Sequence, residues 1–542
     1  MIRALATLAM AAGFLGAACL TGISASRAAE QASEAPEAMM NEQRYQRPDP
    51  ALAAIVEAPR TPAVSISPDR SWLALLEREA LPPISDLAER ELGLAGIRIR
   101  PKTHGPSRAG NFIGLSFRRV VDAAAVPVKG LPEDARIQNV VWSPDGSKLA
   151  FTHTHESGIE LWVTDRDRGL ARRITEARLS LCARAAPVWF PDGKALLALL
   201  VPEGLGPEPA ANALPAGPII QTSLGRKAPA RTFQDLLESP HDEALFDHYF
   251  TAQLARIDLD GKITRIGRPA VFGSFALSPD GKHILTEQIH RPYSYRVPAS
   301  RFPLRIEVWD TRGAMMRQVA ERPLQDQVPL AYGSVVTGPR EVTWRSDAPA
   351  TLCWAEALDG GDPDRDVEIR DALYLHAAPF SQPPLRWLEI PVRFADVTWS
   401  TGDLALVSGW WWKTRNQKLW RVRPDDPGRE PHLLFDRSWE DRYGDPGSPV
   451  ETKNEAGRIV LLRHPSTGEI YLRGEGASPE GNRPFIDAFD PASGATRRLF
   501  RSEPPYFEDP VTLLGETHEL LLSRREAREE PPNYFRRSLA GG

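Results

Sequence analysis

Short runs of alternating apolar and polar residues recur along the whole chain, and four of them lead into the same turn. The clearest copy is Val140-Val141-Trp142-Ser143-Pro144-Asp145-Gly146-Ser147-Lys148-Leu149-Ala150-Phe151. Val188-Trp189-Phe190-Pro191-Asp192-Gly193-Lys194 and Leu277-Ser278-Pro279-Asp280-Gly281-Lys282 repeat it, and Ile66-Ser67-Pro68-Asp69-Arg70 is a copy with Arg in place of Gly. In this tetrapeptide Ser can bond its own backbone, Pro sets φ near −65°, Asp tolerates the bridge conformation and Gly accepts positive φ. Apolar alternation on both sides makes each copy a strand–turn–strand hairpin. After the first copy, residues 160–165 and 171–175 alternate again, which completes the four short strands of one β-propeller blade.

Degenerate copies carry the pattern onward. Val342-Thr343-Trp344-Arg345-Ser346-Asp347 leads into Leu352-Cys353-Trp354, and Val397-Thr398-Trp399-Ser400-Thr401-Gly402-Asp403 leads into Leu404-Ala405-Leu406-Val407. Residues 458–462 and 513–523 read as second strands of two more units. The units start near residues 61, 137, 185, 270, 338, 392, 444 and 505. The expected fold is therefore all-β: a seven- or eight-bladed β-propeller of four-stranded antiparallel blades, with short helical insertions. Unit spacings exceed the minimal blade of about 40–45 residues, so the excess sits in insertions. The largest is 202–250, a Pro/Ala/Gly-rich arm followed by helical spacing over 232–237 and 241–249. Asp49 as N-cap with Pro50 at the first helical position predicts a short helix before the first blade.

The start of the chain breaks the pattern. Met1-Ile2-Arg3 is followed by an apolar run over residues 4–20, and Ser26-Arg27-Ala28 offers a small-x-small cleavage site. This is the layout of a secretory signal, and the run is too short and poorly flanked for a membrane span. The expected organisation is a signal peptide (1–28), a linker with a short helix (29–60) and the propeller (61–540, insertion 202–250), giving an exported protein, periplasmic or secreted. Gly16-Ala17-Ala18-Cys19 is an imperfect lipoprotein box, so a lipid anchor at Cys19 stands beside simple export as an alternative.

Composition narrows the function. A 42 % hydrophobic, 25 % charged chain is ordinary folded protein. With 66 Lys+Arg against 71 Asp+Glu it carries no basic excess for nucleic acid. Three cysteines exclude a disulfide scaffold or a Cys-rich zinc module; once the leader is removed, Cys182 and Cys353 could bridge or remain buried thiols. The 50 Pro and 14 Trp fit many turns and aromatic-anchored strands. No Gly-x-Ser-x-Gly, phosphate-binding Gly-rich loop, Cys-x-x-Cys or His-Glu-x-x-His occurs. His241 and His248 among Asp242, Glu243 and Asp247 could suggest a metal, but an exposed polar helix accounts for them, and no metal or cofactor is expected. Trp410-Trp411-Trp412 reads as blade packing rather than a binding shelf. The stretch 290–303, rich in Arg, Tyr and His, interrupts a blade between its second and third strands and could hold an acidic ligand by charge-assisted hydrogen bonds.

Longer irregular stretches carry a family resemblance. Leu94-Ala95-Gly96-Ile97-Arg98-Ile99, Arg231-Thr232-Phe233-Gln234-Asp235-Leu236-Leu237, residues 290–310, Trp354-Ala355-Glu356 with Asp359-Gly360-Gly361-Asp362, residues 434–448 and Gly474-Glu475-Gly476-Ala477-Ser478-Pro479 are the most specific. From about Tyr45 to Leu539 the chain resembles the N-terminal β-propeller of prolyl oligopeptidase-family serine peptidases, in their glutamyl endopeptidase-like branch. In that family the propeller precedes a C-terminal α/β-hydrolase domain that carries the catalytic Ser, Asp and His. The resemblance implies a non-catalytic propeller that gates peptide or unfolded-protein substrate, with hydrolysis dependent on that domain, and no catalytic residue carries over. Preference for cleavage after Glu asks for cations near the cleft, and Arg291 and Arg301, with Tyr293 between them, are the candidate substrate-binding residues. The alternatives are a stand-alone periplasmic TolB-like propeller that binds proteins or peptides, and a propeller with an active site of its own.

Overall fold

The computed structural model describes residues 48–211 and 233–539. The segment 1–28, Cys19, most of the 29–60 linker and part of the 202–250 insertion, including Arg231 and Thr232, lie outside the described residues. Helix α1 (Pro50–Val56) forms as its cap residues require: the Asp49 carboxylate accepts from Ala51 N at 2.8 Å, and Pro50 occupies the first turn. It belongs to a separate compact unit ending at Ala58.

From residue 59 the chain runs as antiparallel meanders, one after another. Unit 2 shows the plan: Ile137–Trp142, Lys148–His155, Gly158–Asp165 and Leu170–Arg173, each strand bonded to the next. Units 1, 3, 4, 5 and 6 follow it, their first strands being Ala63–Ile66, Val188–Trp189, Ala270–Leu277, Arg340–Trp344 and Arg393–Thr401. Unit 7 ends in Ile470–Gly474, Phe485–Phe489 and Thr496–Arg501; unit 8 has three described strands, Phe507–Leu514, Leu520–Ala527 and Glu530–Ser538. Units 1 and 2 share an edge pair at Phe112 and Ile137, and units 3 and 4 share one at Thr251 and Val271.

The repeated turn closes as its residues dictate. Ser143 Oγ donates to Asp145 at 2.5 Å and accepts from Lys148 N at 2.9 Å, while Asp145 also accepts from Ser147 N. Gly146 takes φ +67°, and Arg70 is forced to +55° at the equivalent place in unit 1. These turns also link neighbours. A Cβ on Gly146 would lie 3.3 Å from Pro68, and one on Gly281 2.8 Å from Pro191, so each glycine abuts the proline of the preceding turn. Asp280 N bonds Pro349 O between units 4 and 5, Arg345 pairs with Asp425 between 5 and 6, and Arg463 with Asp403 between 6 and 7. His518 Nδ1 meets Tyr471 Oη at 2.9 Å between units 7 and 8. Val64, Ile66 and Leu73 of unit 1 pack with Leu514, Leu522 and Tyr534 of unit 8, so the succession returns to its start. Side chains make this seam; no described strand pairs unit 1 with unit 8.

The tryptophans serve the same succession. Trp142, Trp189 and Trp344, each just before its turn, donate their indole N–H to Ser65 Oγ, Val141 O and Ala276 O of the preceding unit, all at 3.1 Å. Between units 5 and 6, Asp359 and Asp371, both fully buried, are held by Arg370, Arg393 and Arg340, with Arg393 bridging the two carboxylates at 2.7 and 3.0 Å. Trp411 lies beneath Arg370, whereas Trp412 is stacked between Tyr332 and Arg415 near Trp439. The Trp triplet is therefore packing that ties loops together. Cys182 and Cys353 are free and sit in different cores; burial pushes each thiol up to about 12.

Three sequence expectations are corrected. Residues 233–237 are not helical: Asp235 takes φ +54° and its carbonyl accepts from Gly96 N, because the segment lies alongside 94–98 as an irregular partner. The run 513–523 divides at a turn, with Phe507–Leu514 the first strand of unit 8 and Leu520–Ala527 the second. The run 458–462 is not a second strand. Ser448–Pro449 pairs with Arg473 and Leu472, Leu462 N bonds Val450 O, and Arg463 bridges Ile470, so residues 451–461 are a hairpin inserted within the first strand of unit 7.

Candidate functional site

Antiparallel meanders put every first-to-second-strand turn on one face of the ring and every second-to-third-strand connection on the other. On that other face the connections of units 1, 3 and 4 are long (79–111, 201–250 and 290–303). They build a core of their own. Unit 1 supplies a small sheet (Leu92–Leu94, Ile97–Arg100, Gly105–Pro106), preceded by the short helix α2 (Ile84–Ala88). Unit 3 supplies helix α3 (Pro240–Phe250), started by a capping box between Ser239 and Asp242. Leu94, Ile99, Leu237, Phe246, Phe250, Val297 and Phe302 are buried together. Three of the stretches that carry the family resemblance thus meet in one place.

The expected substrate-binding residues lie on this platform. Arg291 reaches α3, where it pairs with Asp247 at 2.6 Å and with Glu243, and it stacks 4.7 Å over Tyr293. The hydrogen bond it donates to Asp247, reinforced by Glu243, holds its guanidinium above the ordinary range. Tyr293 stacks on Phe302, meets Phe246 edge-on and donates its hydroxyl to Asp247; burial, then that bond, raises its phenol. Arg301 differs. It donates to Val328 O at 2.7 Å and lies 5.7 Å over Phe233, and burial lowers its guanidinium. The platform brings Arg291 and Tyr293 together through Asp247, while Arg301 contacts a carbonyl and a ring.

The sequence shows both carboxylates but not their partner. Glu243 and Asp247 stand four apart on α3, a spacing that presents both to one partner, and Arg291 is that partner. His248 instead packs against Tyr249 and near His104, whose imidazole burial drops to about 4. Among the described residues no group of three or more His, Cys, Asp or Glu is disposed to hold a metal ion. A second tie escaped sequence reasoning altogether: Arg90 clasps Glu208 at 2.7 and 2.9 Å, and Tyr249 donates to the same carboxylate. The bond from Arg90, then that from Tyr249, brings Glu208 down to about 2.

A circular succession of antiparallel meanders, linked turn to turn and carrying its elaborations on one face, is a β-propeller. No family model matches the chain. Its sequence is 37 % identical over 517 residues to a probable chloroplastic glutamyl endopeptidase of Oryza sativa subsp. japonica, covering 91 % of this chain and 55 % of that protein. The corresponding protein of Arabidopsis thaliana is 37 % identical over 516 residues, covering 90 % and 54 %. The chain is thus similar to these probable glutamyl endopeptidases and spans about half the length of each. Among solved structures, the β-propeller domain of the Trilobed protease from Pyrococcus furiosus matches with a TM-score of 0.37 and 11 % identity, over 75 % of this chain and 98 % of that one.

Proposed function

We propose that this chain is the non-catalytic, substrate-gating propeller of an exported serine endopeptidase resembling glutamyl endopeptidase, and that peptide hydrolysis is carried by an α/β-hydrolase domain. The observation that supports it is the platform on one face, where three insertions converge around Arg291, Tyr293 and Arg301. Every named strand ladder is antiparallel, so the described residues hold no βαβ layer from which a hydrolase nucleophile could project. Export, with or without a lipid on Cys19, is supported by the apolar run over residues 4–20.

Within this reading Arg301 is the better anchor for a substrate carboxylate, because Glu243 and Asp247 already compete for Arg291. Anisotropy of a labelled Glu-containing peptide, run beside fluorogenic turnover, tests it on the purified chain. Binding without turnover is expected, weakened more by Arg301→Ala than by Arg291→Ala. Turnover that survives a serine-reactive inhibitor, or no peptide binding at all, would overturn the proposal.

A further inference from the structure

The hairpin of residues 451–461 leaves its own unit and reaches turns on distant parts of the ring. Its arms, Glu451–Lys453 and Ile459–Leu461, are paired, and Asn454 closes the tip by accepting from Ala456 N and Arg458 N, with Gly457 at φ +72°. Asn454 Nδ2 donates to Ser346 O of the unit 5 turn at 2.8 Å, and Arg458 to Ser278 O of the unit 4 turn at 3.0 Å. A Cβ on Gly457 would lie 3.5 Å from Cβ of Pro144, in the unit 2 turn. Neighbours of unit 7 in the ring are units 6 and 8, so contact with turns 2, 4 and 5 requires the tip to cross the middle. Burial lowers both the Lys453 ammonium, which Arg458 lowers further, and the Arg458 guanidinium, consistent with positions withdrawn from solvent.

We infer that this hairpin seals the axial opening of the propeller on its turn face, so that a peptide reaching the interior enters from the face that carries the insertions. The seal rests on the contacts alone; only the peptide's route rests on the function proposed above. Opening the turn face would require the tip to give up its bonds to Ser346 and Ser278 and its packing on Pro144 together.

A crosslink tests the crossing directly. The 3.5 Å Cβ separation places a Pro144→Cys, Gly457→Cys double variant within the range a disulfide spans, and buried Cys182 and Cys353 do not compete for it. Mild oxidation should join residues 144 and 457, read by mass spectrometry of the linked peptides. A Ser346→Cys variant supplies the second readout, with a bulky polyethylene-glycol maleimide as probe. Its labelling should rise at least about tenfold when residues 451–461 are replaced by Gly-Gly, as expected when a packed cover is removed. No crosslink in a double variant with native circular dichroism, or equally fast labelling with and without the hairpin, would overturn the seal. Peptide binding abolished by the crosslink would overturn the route and leave the seal standing. Absence of peptide binding in the uncrosslinked chain counts against the proposed function instead.

Discussion

Each glycine of the repeated turn meets two demands, a left-handed backbone and a proline pressed against it from the preceding unit, and the positions differ in how hard the second one is. Gly281 has φ +70°, and a Cβ there would sit 2.8 Å from Pro191 Cδ; Gly193 has φ +64°, but its nearest neighbours lie 3.9 and 4.0 Å away. Gly193→Ala therefore carries only the conformational cost of about 1 kcal/mol, whereas Gly281→Ala adds steric displacement of a rigid ring, for about 2–3 kcal/mol in all. Urea denaturation of the two variants measures the difference, and equal losses would show that the turns do not bear on one another. Arg70 stands in the corresponding place in unit 1 at φ +55°. The indole donors act at the same scale. Trp189 fills the space between units 2 and 3 and also satisfies Val141 O, which gives the abundance of tryptophan a physical reason beyond apolar area.

At the scale of elements, ties between loops and blades divide by burial. Asp359 is fully buried, accepts from Gly361 N and is shared by Arg370 and Arg393. Asp359→Ala would take the carboxylate partner from buried Arg370 and leave buried Arg393 with Asp371 alone, and is expected to cost about 3–5 kcal/mol, read as a fall in the urea midpoint. Arg291→Ala removes a half-exposed pair on the surface of the platform, and its stability cost should stay below about 1 kcal/mol. Comparable losses in the two would refute this assignment of roles. The local chemistry of Ser-Pro-Asp-Gly and strict alternation made most strands readable, including the interruption at 290–303. What alternation could not convey was connectivity. The arm 458–462 has the pattern of a second strand because a hairpin arm and a blade strand satisfy the same period, and only long-range pairing, that of 448–449 with 472–473 and the bond from Leu462 to Val450, distinguishes them. Residues 233–237 have helical spacing, yet their partner is a segment about 140 positions earlier in the chain, which no local window contains. Glu243 and Asp247 are visible beside histidines and read as part of an exposed polar helix; the arginine that takes them comes from another unit.

For the molecule as a whole, the seam between units 8 and 1 is one of those where side chains stand in for strand pairing, and a histidine lies beside it. His518 is buried, bonded to Tyr471 Oη, and faced by Arg70, His464 and Glu519. Burial, with Arg70 and His464 and against the pull of Glu519, brings its imidazole down to about 4. The folded state thus keeps it neutral where the unfolded chain, with an ordinary value near 6.5, takes up a proton. Its contribution is complete above about pH 6.5 and is lost as pH falls toward 4, with a slope of at most about 1.4 kcal/mol per pH unit. His104, held down to about 4 by burial and by His248, adds a second such term within the platform. Urea midpoints measured from pH 7 to 5, above the ordinary carboxylate range, should fall on acidification. His518→Gln should remove part of that slope and His104→Gln another part, and an unchanged slope in both would exclude these groups as its source. Hydrogen exchange separates the two sites. Protonation of His518 loosens a contact between units 7 and 8, neither of which is strand-paired to a neighbouring unit among the described residues, so amides of 507–538 should lose protection before those of unit 2, whose first strand pairs with unit 1.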